Sequence, residues 1–272
     1  MERIETSSGT ARWSRTGSGS PVVLMHGTPF SSFVWRDVAA ALAGRHEVFA
    51  WDMPGYGRSE MRAGQDVSLA AQALVFTELL EHWSLESPSI VAHDFGGAVS
   101  LRAHLLHGAR YRRLALVDVV AIAPWGTPFF RLVRENAAVF EQLPAHLHAA
   151  LVREHVSTAS GPGLRPQVLE RLVSPWLGET GQAAFYRQIA QADERHTDEI
   201  SPLLGSLDLP VQVCWGEADS WIPAAQGAEL AARIPGATLR LLPGAGHLVQ
   251  EDAPAPLTAT LLDFLGQPQK VA

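Results

Sequence analysis

An aspartate stands at a predicted tight turn in the segment SIVAHDFGGAVSLRAHLLHG, residues 89–108. An apolar run leads up to Asp94, and two glycines then open a segment whose apolar residues have helical spacing. This pattern predicts a strand, a sharp turn and a helix. Such a turn holds its central residue out at the end of the strand, and it needs small neighbours because the two backbones nearly touch. Asp94 has that position, and Ala92, Gly96 and Gly97 are the small neighbours.

A carboxylate in this position can act as a nucleophile. Carboxyl groups have a reference pKa of about 3.9, so they are ionised at neutral pH and, unlike a serine hydroxyl, need no base. Attack on an sp³ carbon would displace an alkoxide or a halide and leave an alkyl ester on Asp94. Attack on a carboxylic ester would give an unstable mixed anhydride, so ester and amide hydrolysis are disfavoured. Water must then hydrolyse the alkyl ester, and that step needs a base.

Four predicted strands are each followed by a loop with reactive side chains. The loops are HGTP from His26, HDFGG from His93, WGEADSWIP from Trp215 and GAGHLVQED from Gly244. The carboxyl ends of parallel strands share one edge of an open sheet, so we expect the loops to converge there. Asp94, Asp219 and His247 then follow one another in the nucleophile, acid and base order of a hydrolase triad.

The elements that must position these residues alternate between strand and helix. Apolar runs predict strands at PVVLMHG, HEVFAWDMPG, PSIVAHD, RLALVDVV, LPVQVCWGEAD and ATLRLLPGAGH. Amphipathic segments separate them, and a last helix lies in PAPLTATLLDFL. Turn signals in the first 20 residues predict an antiparallel hairpin at the edge of the sheet. The fold class is therefore α/β, with a doubly wound, mostly parallel sheet.

The alternation is interrupted between residues 122 and 201. The pattern there is helical throughout and broken by prolines. Short helices joined by proline-bearing loops predict a helical cap over 122–201. The cap would be inserted between two parts, 1–121 and 202–272, of one core domain.

The charge and the N-terminal sequence indicate which binding partners and which cellular compartment to expect. The net charge is −7 and no basic stripe is present, so we expect neither a nucleic-acid nor a membrane partner. The N-terminus resembles neither a secretory signal nor a transit peptide, which favours a cytoplasmic protein. The single Cys214 lies in an apolar run, so it predicts a buried small hydrophobe and excludes an intrachain disulfide. No Cys/His spacing indicates zinc, and we expect no cofactor; the oligomeric state is not indicated.

Nearly the whole chain resembles the α/β-hydrolase fold. HDFGG and HGTPFSSFVW are similar to the aspartate-nucleophile branch, which includes epoxide hydrolases, haloalkane dehalogenases and fluoroacetate dehalogenases. The resemblance implies two places for the acid. Asp219 follows the penultimate strand, the common place, and we favour it; Asp118, at the end of LALVD, is the alternative that parts of this branch use.

Two backbone N–H groups are expected to receive the charge that develops on Asp94 during ester hydrolysis. Phe95 follows the nucleophile at a helix N-terminus, where free N–H groups favour negative charge. Thr28, in the HGTP loop, supplies the other donor, and the resemblance implies a cis bond between Thr28 and Pro29. His26 and His93 flank the site, and we interpret both as structural braces.

The residues that would assist the leaving group depart from those of the relatives. Phe95 stands where haloalkane dehalogenases typically have Trp, Thr28 stands where they often have Asn, and DFGGA lacks the arginines of fluoroacetate dehalogenases. Epoxide hydrolases commonly use two cap tyrosines, and only Tyr186 lies in the predicted cap. His146 or His148 could be a second donor, and Trp125 could instead direct its indole N–H at a halide.

The sequence therefore predicts a hydrolase that acts on a small molecule through an ester on Asp94. Opening of a small epoxide is the first hypothesis, and carbon–halogen cleavage in a haloalkane or haloacid is the alternative. A cofactorless lyase or oxygenase, or a ligand-binding sensor on the same fold, are further alternatives. The retained His247 and acid argue against a sensor, which would need neither.

Overall fold

The computed structural model describes residues 1–267, and an eight-stranded sheet forms its centre. The strands are β1 (Glu2–Thr6), β2 (Gly9–Gly17), β3 (Ser20–Met25), β4 (His46–Asp52), β5 (Ser89–His93), β6 (Arg113–Val117), β7 (Val211–Gly216) and β8 (Thr238–Leu242). Their order across the sheet is β1-β2-β4-β3-β5-β6-β7-β8. β2 runs antiparallel to β1 and β4, and the other neighbouring pairs are parallel. The predicted mostly parallel sheet and its edge hairpin are confirmed.

The helices of the described residues cover the sheet and form the inserted segment. In chain order they are α1 (Arg36–Leu42), α2 (Leu69–His82), α3 (Phe95–His107), α4 (Pro128–Glu135), α5 (Ala137–Phe140), α6 (Ala145–Ser157), α7 (Pro166–Val173), α8 (Gly178–Ala190), α9 (Arg195–Asp198), α10 (Ala224–Arg233), α11 (Val249–Asp252) and α12 (Pro254–Gly266). Short 3₁₀ helices span Ser32–Trp35, Ser174–Trp176 and Ser201–Ser206. The predicted cap interval, 122–201, contains α4 to α9 and no strand. The predicted end of the core, residue 272, lies outside the described residues.

The central strands are buried on both faces because helices cover the sheet on either side. Every residue of β5 and β6 is buried, as their uninterrupted apolar sequences predict. Cys214 lies in β7 and is fully inaccessible. Burial raises the pKa of its thiol to about 12, so the side chain packs as a small hydrophobe, as expected.

Across residues 1–267, no helix is long and apolar enough to cross a membrane. Within the same residues, no group of His, Cys, Asp and Glu side chains could hold a metal ion.

Candidate active site

The turn between β5 and α3 places Asp94 in a strained backbone conformation. Its φ is 50° and its ψ is −118°, values that residues other than glycine rarely adopt. A Cβ added to Gly96 would lie 2.6 Å from the carbonyl oxygen of His26. One added to Gly97 would lie 2.3 Å from the Cβ of Val119. The close approach of strand and helix therefore requires the small residues that the sequence indicated.

The structure brings Asp94, His247 and Asp219 together at the carboxyl edge of the sheet. The Nδ1–H of His247 donates to Oδ2 of Asp219 at 2.9 Å. Its Nε2 lies 3.5 Å from Oδ2 of Asp94, which is longer than a good hydrogen bond. The other oxygen of Asp219 accepts the backbone N–H groups of Trp221 and Ile222, at 2.8 and 2.9 Å. Asp219 thus fixes the orientation of the imidazole through Nδ1, and Nε2 faces the carboxylate of Asp94.

Asp118, the alternative acid, makes no hydrogen bond to His247 in this arrangement. Its Oδ1 accepts the backbone N–H of Gly216 at 2.8 Å, and its Oδ2 is buried with no partner among the described residues. Burial and the neighbouring charge of Asp219 raise the pKa of Asp118 well above its ordinary value. We therefore assign Asp118 as a neutral carboxyl group below the site, with Asp219 in the position that orients the histidine.

Two carboxylates control the protonation of His247. Burial lowers the pKa of this imidazole, but the charges and hydrogen bonds of Asp219 and Asp94 outweigh burial and raise it well above its ordinary value. Burial likewise opposes ionisation of Asp219, but His247 and the two backbone N–H donors hold the pKa of Asp219 below its ordinary value. The protonated form of the imidazole is therefore favoured in the resting site.

The predicted oxyanion donors lie beside the Asp94 carboxylate or directly after it. The backbone N–H of Thr28 donates to Oδ1 of Asp94 at 2.7 Å, and the Thr28–Pro29 bond is cis. Phe95 is the first residue of α3, where a backbone N–H has no partner within the helix. One oxygen of Asp94 is therefore held by Thr28, and the other is left to face His247.

A small, mostly apolar cavity opens in front of Asp94. Its volume is about 30 Å³, room for about two water molecules. The lining residues are Thr28, Asp94, Phe95, Val120, Trp125, Gly126, Thr127, Phe130, His155, Gln188, Trp221 and Ile222. Asp94 is the one carboxylate in this set, and the set contains neither Lys nor Arg. The cavity suits a small neutral group next to the nucleophile.

The expected phenol donor lies outside this cavity lining. The hydroxyl of Tyr186 is bonded to Nδ1 of His148 at 2.8 Å, and Nε2 of His148 donates to the carbonyl oxygen of Trp176 at 2.8 Å. The second bond makes Nδ1 an acceptor, so the phenol proton is donated to His148. His146 is exposed on the same helix. The prediction that these residues donate to a leaving group is therefore not met in this arrangement. The packing of α6 on α8 pairs Tyr186 with His148, and His146 is exposed.

Trp125 occupies the expected region with a different orientation. Its ring lines the cavity and packs edge-on against Phe95, with 5.7 Å between the ring centroids. Its indole N–H donates to the Thr197 hydroxyl at 2.9 Å. Trp125 therefore contributes apolar surface, and the prediction that its N–H is directed at a halide is wrong for this arrangement.

Two cavity residues that the sequence analysis missed, Gln188 and His155, complete the site. Gln188 lines the cavity, and its Oε1 accepts the hydroxyls of Thr28 at 2.6 Å and Tyr56 at 3.1 Å. His155 also lines the cavity and stacks on Trp221, with 4.5 Å between the ring centroids. Burial, followed by the charge of His247, lowers the pKa of His155 to about 4, so its imidazole is neutral at neutral pH.

A sequence signal for Gln188 was present but weak. The buried residues Gly181, Ala184, Phe185 and Gln188 follow helical spacing along α8. A glutamine that continues a buried helical stripe indicates a polar partner inside the protein.

His26 and His93 hold the site loops. The Nδ1–H of His26 donates to the carbonyl oxygen of Gly27, and its Nε2 accepts the backbone N–H of Met53, both at 2.9 Å. The Nε2–H of His93 donates to the carbonyl oxygen of His247 at 3.0 Å. Burial and the charge of His247 lower the pKa of His93 to about 3, which keeps it neutral. Both contacts agree with a bracing role.

Asp252 joins the α6–α7 connection to the loop that carries His247. Its Oδ2 accepts the backbone N–H groups of Gly246 at 2.7 Å and Gly161 at 2.9 Å. Its Oδ1 accepts the hydroxyl of Ser160. A single carboxylate therefore holds two residues of the α6–α7 connection and the residue before His247.

Comparison with known proteins agrees with this fold. The family model described as alpha/beta hydrolase fold matches residues 20–254, so the chain belongs to that family and the protein is a hydrolase. A solved alpha/beta hydrolase fold protein from Burkholderia ambifaria is 48% identical, with 96% of this chain and 97% of that chain covered and a TM-score of 0.94.

Haloalkane dehalogenases are among the similar proteins. Haloalkane dehalogenase 2 of Mycobacterium bovis is 27% identical over 97% of this chain and 94% of its own. A solved haloalkane dehalogenase from Agrobacterium tumefaciens has a TM-score of 0.81 at 19% identity, with 98% of this chain and 96% of that chain covered. The second likeness is one of fold alone.

Proposed function

We propose that the protein hydrolyses the carbon–halogen bond of a small neutral haloalkane through an alkyl ester on Asp94. The observation that carries the proposal is the arrangement of this carboxylate. Asp94 lines the apolar cavity, one of its oxygens is held by the Thr28 N–H, and the other lies 3.5 Å from Nε2 of His247. A carboxylate in this setting suits attack on an sp³ carbon.

The first step consumes no proton. An electron pair on Oδ2 of Asp94 attacks the carbon, and the carbon–halogen pair leaves with the halide. A small substrate that fills the cavity would displace the water that otherwise solvates and weakens the carboxylate nucleophile. The products of this step are an uncharged alkyl ester and a halide ion.

The second step uses the histidine as a base. Asp94 is one of the groups that raise the pKa of His247, and alkylation removes its charge. The pKa of the imidazole then falls, so it can lose its proton and accept one from water. That water attacks the carboxyl carbon of Asp94, and the Thr28 N–H stabilises the developing oxyanion. The bond from the carboxyl carbon to the alkoxy oxygen then breaks, and His247 gives the proton it took from water to the departing alkoxide, which leaves as the alcohol. The Asp94 carboxyl group then passes its own proton to the imidazole. Over the cycle, haloalkane and water give an alcohol, a halide ion and a proton.

The choice of substrate class follows from the cavity and the relatives. A haloacid would bring a carboxylate next to Asp94 without a lysine or arginine among the cavity residues to offset it. An epoxide would need a proton donor, and the phenol proton of Tyr186 is donated to His148. A haloalkane needs neither group, and a dehalogenase is similar over nearly the whole chain. These points favour the haloalkane over the epoxide that was the first hypothesis from the sequence.

Epoxide opening is the second candidate, and His155 is the observation that favours it. Its imidazole lines the cavity. Because burial lowers the pKa of His155 to about 4, it is a cationic acid only at low pH. An epoxide reaction that used His155 as its acid would therefore accelerate as the pH falls toward that value, whereas displacement of a halide would not.

Trapping of the ester tests the proposal. In a His247→Gln variant the first step proceeds and the second lacks its base, so Asp94 should accumulate the alkyl group. The variant would be incubated with bromoethane or with propylene oxide, and the adduct would be followed by intact-protein mass spectrometry and mapped by peptide analysis. The matched control is the double variant that adds Asp94→Asn, which should stay unlabelled. If only propylene oxide labels the variant, the substrate class is an epoxide and not a haloalkane. An adduct on a residue other than Asp94 would refute the mechanism.

A further inference from the structure

Gln188 is a buried side chain with one half of its amide unused. The residue is 2% exposed and lines the cavity together with Asp94. Its Oε1 accepts hydrogen bonds from the hydroxyl groups of Thr28 and Tyr56. Its Nε2 is buried and has no hydrogen-bond partner among the described residues. Buried amide groups in proteins are nearly always paired. An unpaired N–H donor at the wall of a reaction cavity therefore indicates a ligand.

The two hydroxyl groups fix which end of the amide faces the cavity. The Thr28 Oγ1 to Gln188 Oε1 distance is 2.6 Å, which is typical of an O–H···O bond and short for an N–H···O bond. Burial raises the pKa of Tyr56 far above its ordinary value, so its hydroxyl stays neutral and can donate. With both hydroxyl groups directed at the oxygen, the amide N–H groups stay unpaired on a residue that lines the cavity.

The other N–H groups around the cavity are mostly engaged. The indole N–H of Trp125 donates to Thr197, and that of Trp221 donates to the Thr158 hydroxyl at 2.9 Å. The backbone N–H of Thr28 already holds the nucleophile. In a cavity of about 30 Å³, a group that departs from a carbon bonded to Asp94 has little room to lie away from the amide.

We infer that the Nε2–H of Gln188 donates a hydrogen bond to the leaving group as its bond to carbon breaks, an inference that rests on the proposed function. The amide transfers no proton. It stabilises the negative charge that the halide gains, while the electron pair of Asp94 forms the new carbon–oxygen bond. Thr28 holds both the nucleophile, through its N–H, and Gln188, through its hydroxyl, so one residue positions the attacking and the departing groups.

The inference predicts a slower first step when the amide is removed. In the His247→Gln background, Gln188→Leu should slow the labelling of Asp94 by bromoethane about 10²–10³-fold, the usual effect of losing one donor to a developing anion. Gln182→Leu is the matched control. Gln182 is also buried on α8, but its amide donates to the carbonyl oxygens of Glu141 and Leu143, away from the cavity. This control should label at the rate of its parent.

A comparison of different halides distinguishes whether Gln188 stabilises the leaving group or only supports the structure of the site. Chloride accepts hydrogen bonds more strongly than iodide, so Gln188→Leu should slow labelling by chloroethane more than labelling by iodoethane. An equal loss for both halides would mean that the variant only disturbs the site and would overturn the inference, as would an unchanged rate. If no haloalkane or epoxide labels the parent variant, the proposed function itself fails, which is a distinct result.

A second variant covers the case in which Gln188→Leu does not fold. Gln188→Glu keeps the shape of the side chain, and an ionised carboxylate there would repel the leaving halide. Because burial raises the pKa of a carboxyl group, labelling is followed from neutral to alkaline pH: it should be slow above the pKa of the new carboxyl group and recover below it. A rate independent of pH, in a folded variant, would contradict the role of the amide.

Discussion

Replacement of Asp219 by asparagine should stop release of the alkyl group from Asp94. Oδ1 of Asp219 accepts the N–H groups of Trp221 and Ile222, so an asparagine there would keep its carbonyl oxygen toward them. Its NH₂ group would then face Nδ1 of His247, which could no longer donate. The imidazole would carry its proton on Nε2, toward Asp94, where a base must be free to accept one.

The size of the effect follows from what the imidazole loses. A hydrogen bond to a charged group contributes about 1.5–3 kcal/mol, and the unfavourable tautomer adds to that loss. Asp219→Asn should therefore slow hydrolysis of the ester about 10³–10⁴-fold, as an equivalent change does in serine hydrolases. Formation of the ester should be much less affected, because the first step needs no base.

Asp118→Asn is the matched control, because Asp118 directly follows β6, the strand next to β7. Burial raises the pKa of Asp118 well above its ordinary value, so the native group is a neutral carboxyl, which an amide resembles in shape and charge. An asparagine oxygen can still accept the N–H of Gly216. We expect less than about a tenfold effect on either step, since no charge or cavity is created.

Single-turnover experiments would separate the two steps in each variant. Enzyme in excess over bromoethane would be quenched at intervals, and the fraction of protein that carries the alkyl group would be measured by mass spectrometry. Thermal unfolding would show that both variants are folded. Rapid decay of the ester in Asp219→Asn, or a larger loss in Asp118→Asn, would refute the assignment of the acid.

Four other substitutions give equally direct expectations. Gly97→Ala should destabilise the fold by about 1–3 kcal/mol in denaturant unfolding, because its Cβ would lie 2.3 Å from a valine side chain. Gly44→Ala, whose nearest contact would be 3.9 Å away, should change stability by less than about 0.5 kcal/mol. Tyr186→Phe should leave ester formation within a few-fold of the native rate, since the lost hydroxyl bonds to the cap and not to the substrate. Asp94→Asn should lower the pKa of His247, as followed by NMR of the imidazole, because one of the two carboxylates that raise it is gone; an unchanged or higher value would contradict the coupling.

The strands and the order of the site loops could be predicted because local signals determine them. Apolar runs such as those of β5 and β6 are long enough to identify buried strands, and parallel strands bring their carboxyl ends together. Asp94 was identifiable because the sharp turn needs glycines at fixed spacing. The position of Asp94 and His247 at one edge follows from those two facts.

The choice between the acids depended on contacts that sequence spacing does not contain. Asp118 and Asp219 follow adjacent strands, so both lie near the histidine. The backbone N–H groups of the Asp219 loop orient that carboxylate toward His247, whereas Gly216 holds Asp118 in place. The direction of each carboxylate is a property of the folded loops.

The contacts of α6 and α8 were the least predictable part of the site. Tyr186 and His148 are 38 residues apart, and their pairing depends on how α6 packs against α8. Helical periodicity identifies the buried face of each helix but not the partner of a polar group on that face. Gln188 was missed for the same reason, because its partners, Thr28 and Tyr56, come from distant loops of the core.

The carboxylate of Asp252 limits how this enzyme can be engineered. Caps of α/β-hydrolases are insertions, and exchange of one cap for another is an obvious route to new specificity. Here the α6–α7 connection shares Asp252 with the loop before His247, so a transplanted cap would leave that carboxylate with two of its three donors missing. A chimera would have to keep Ser160 and Gly161, or bring equivalent donors, for the histidine loop to retain its shape. The predicted cap and the loop that carries His247 therefore cannot be exchanged independently.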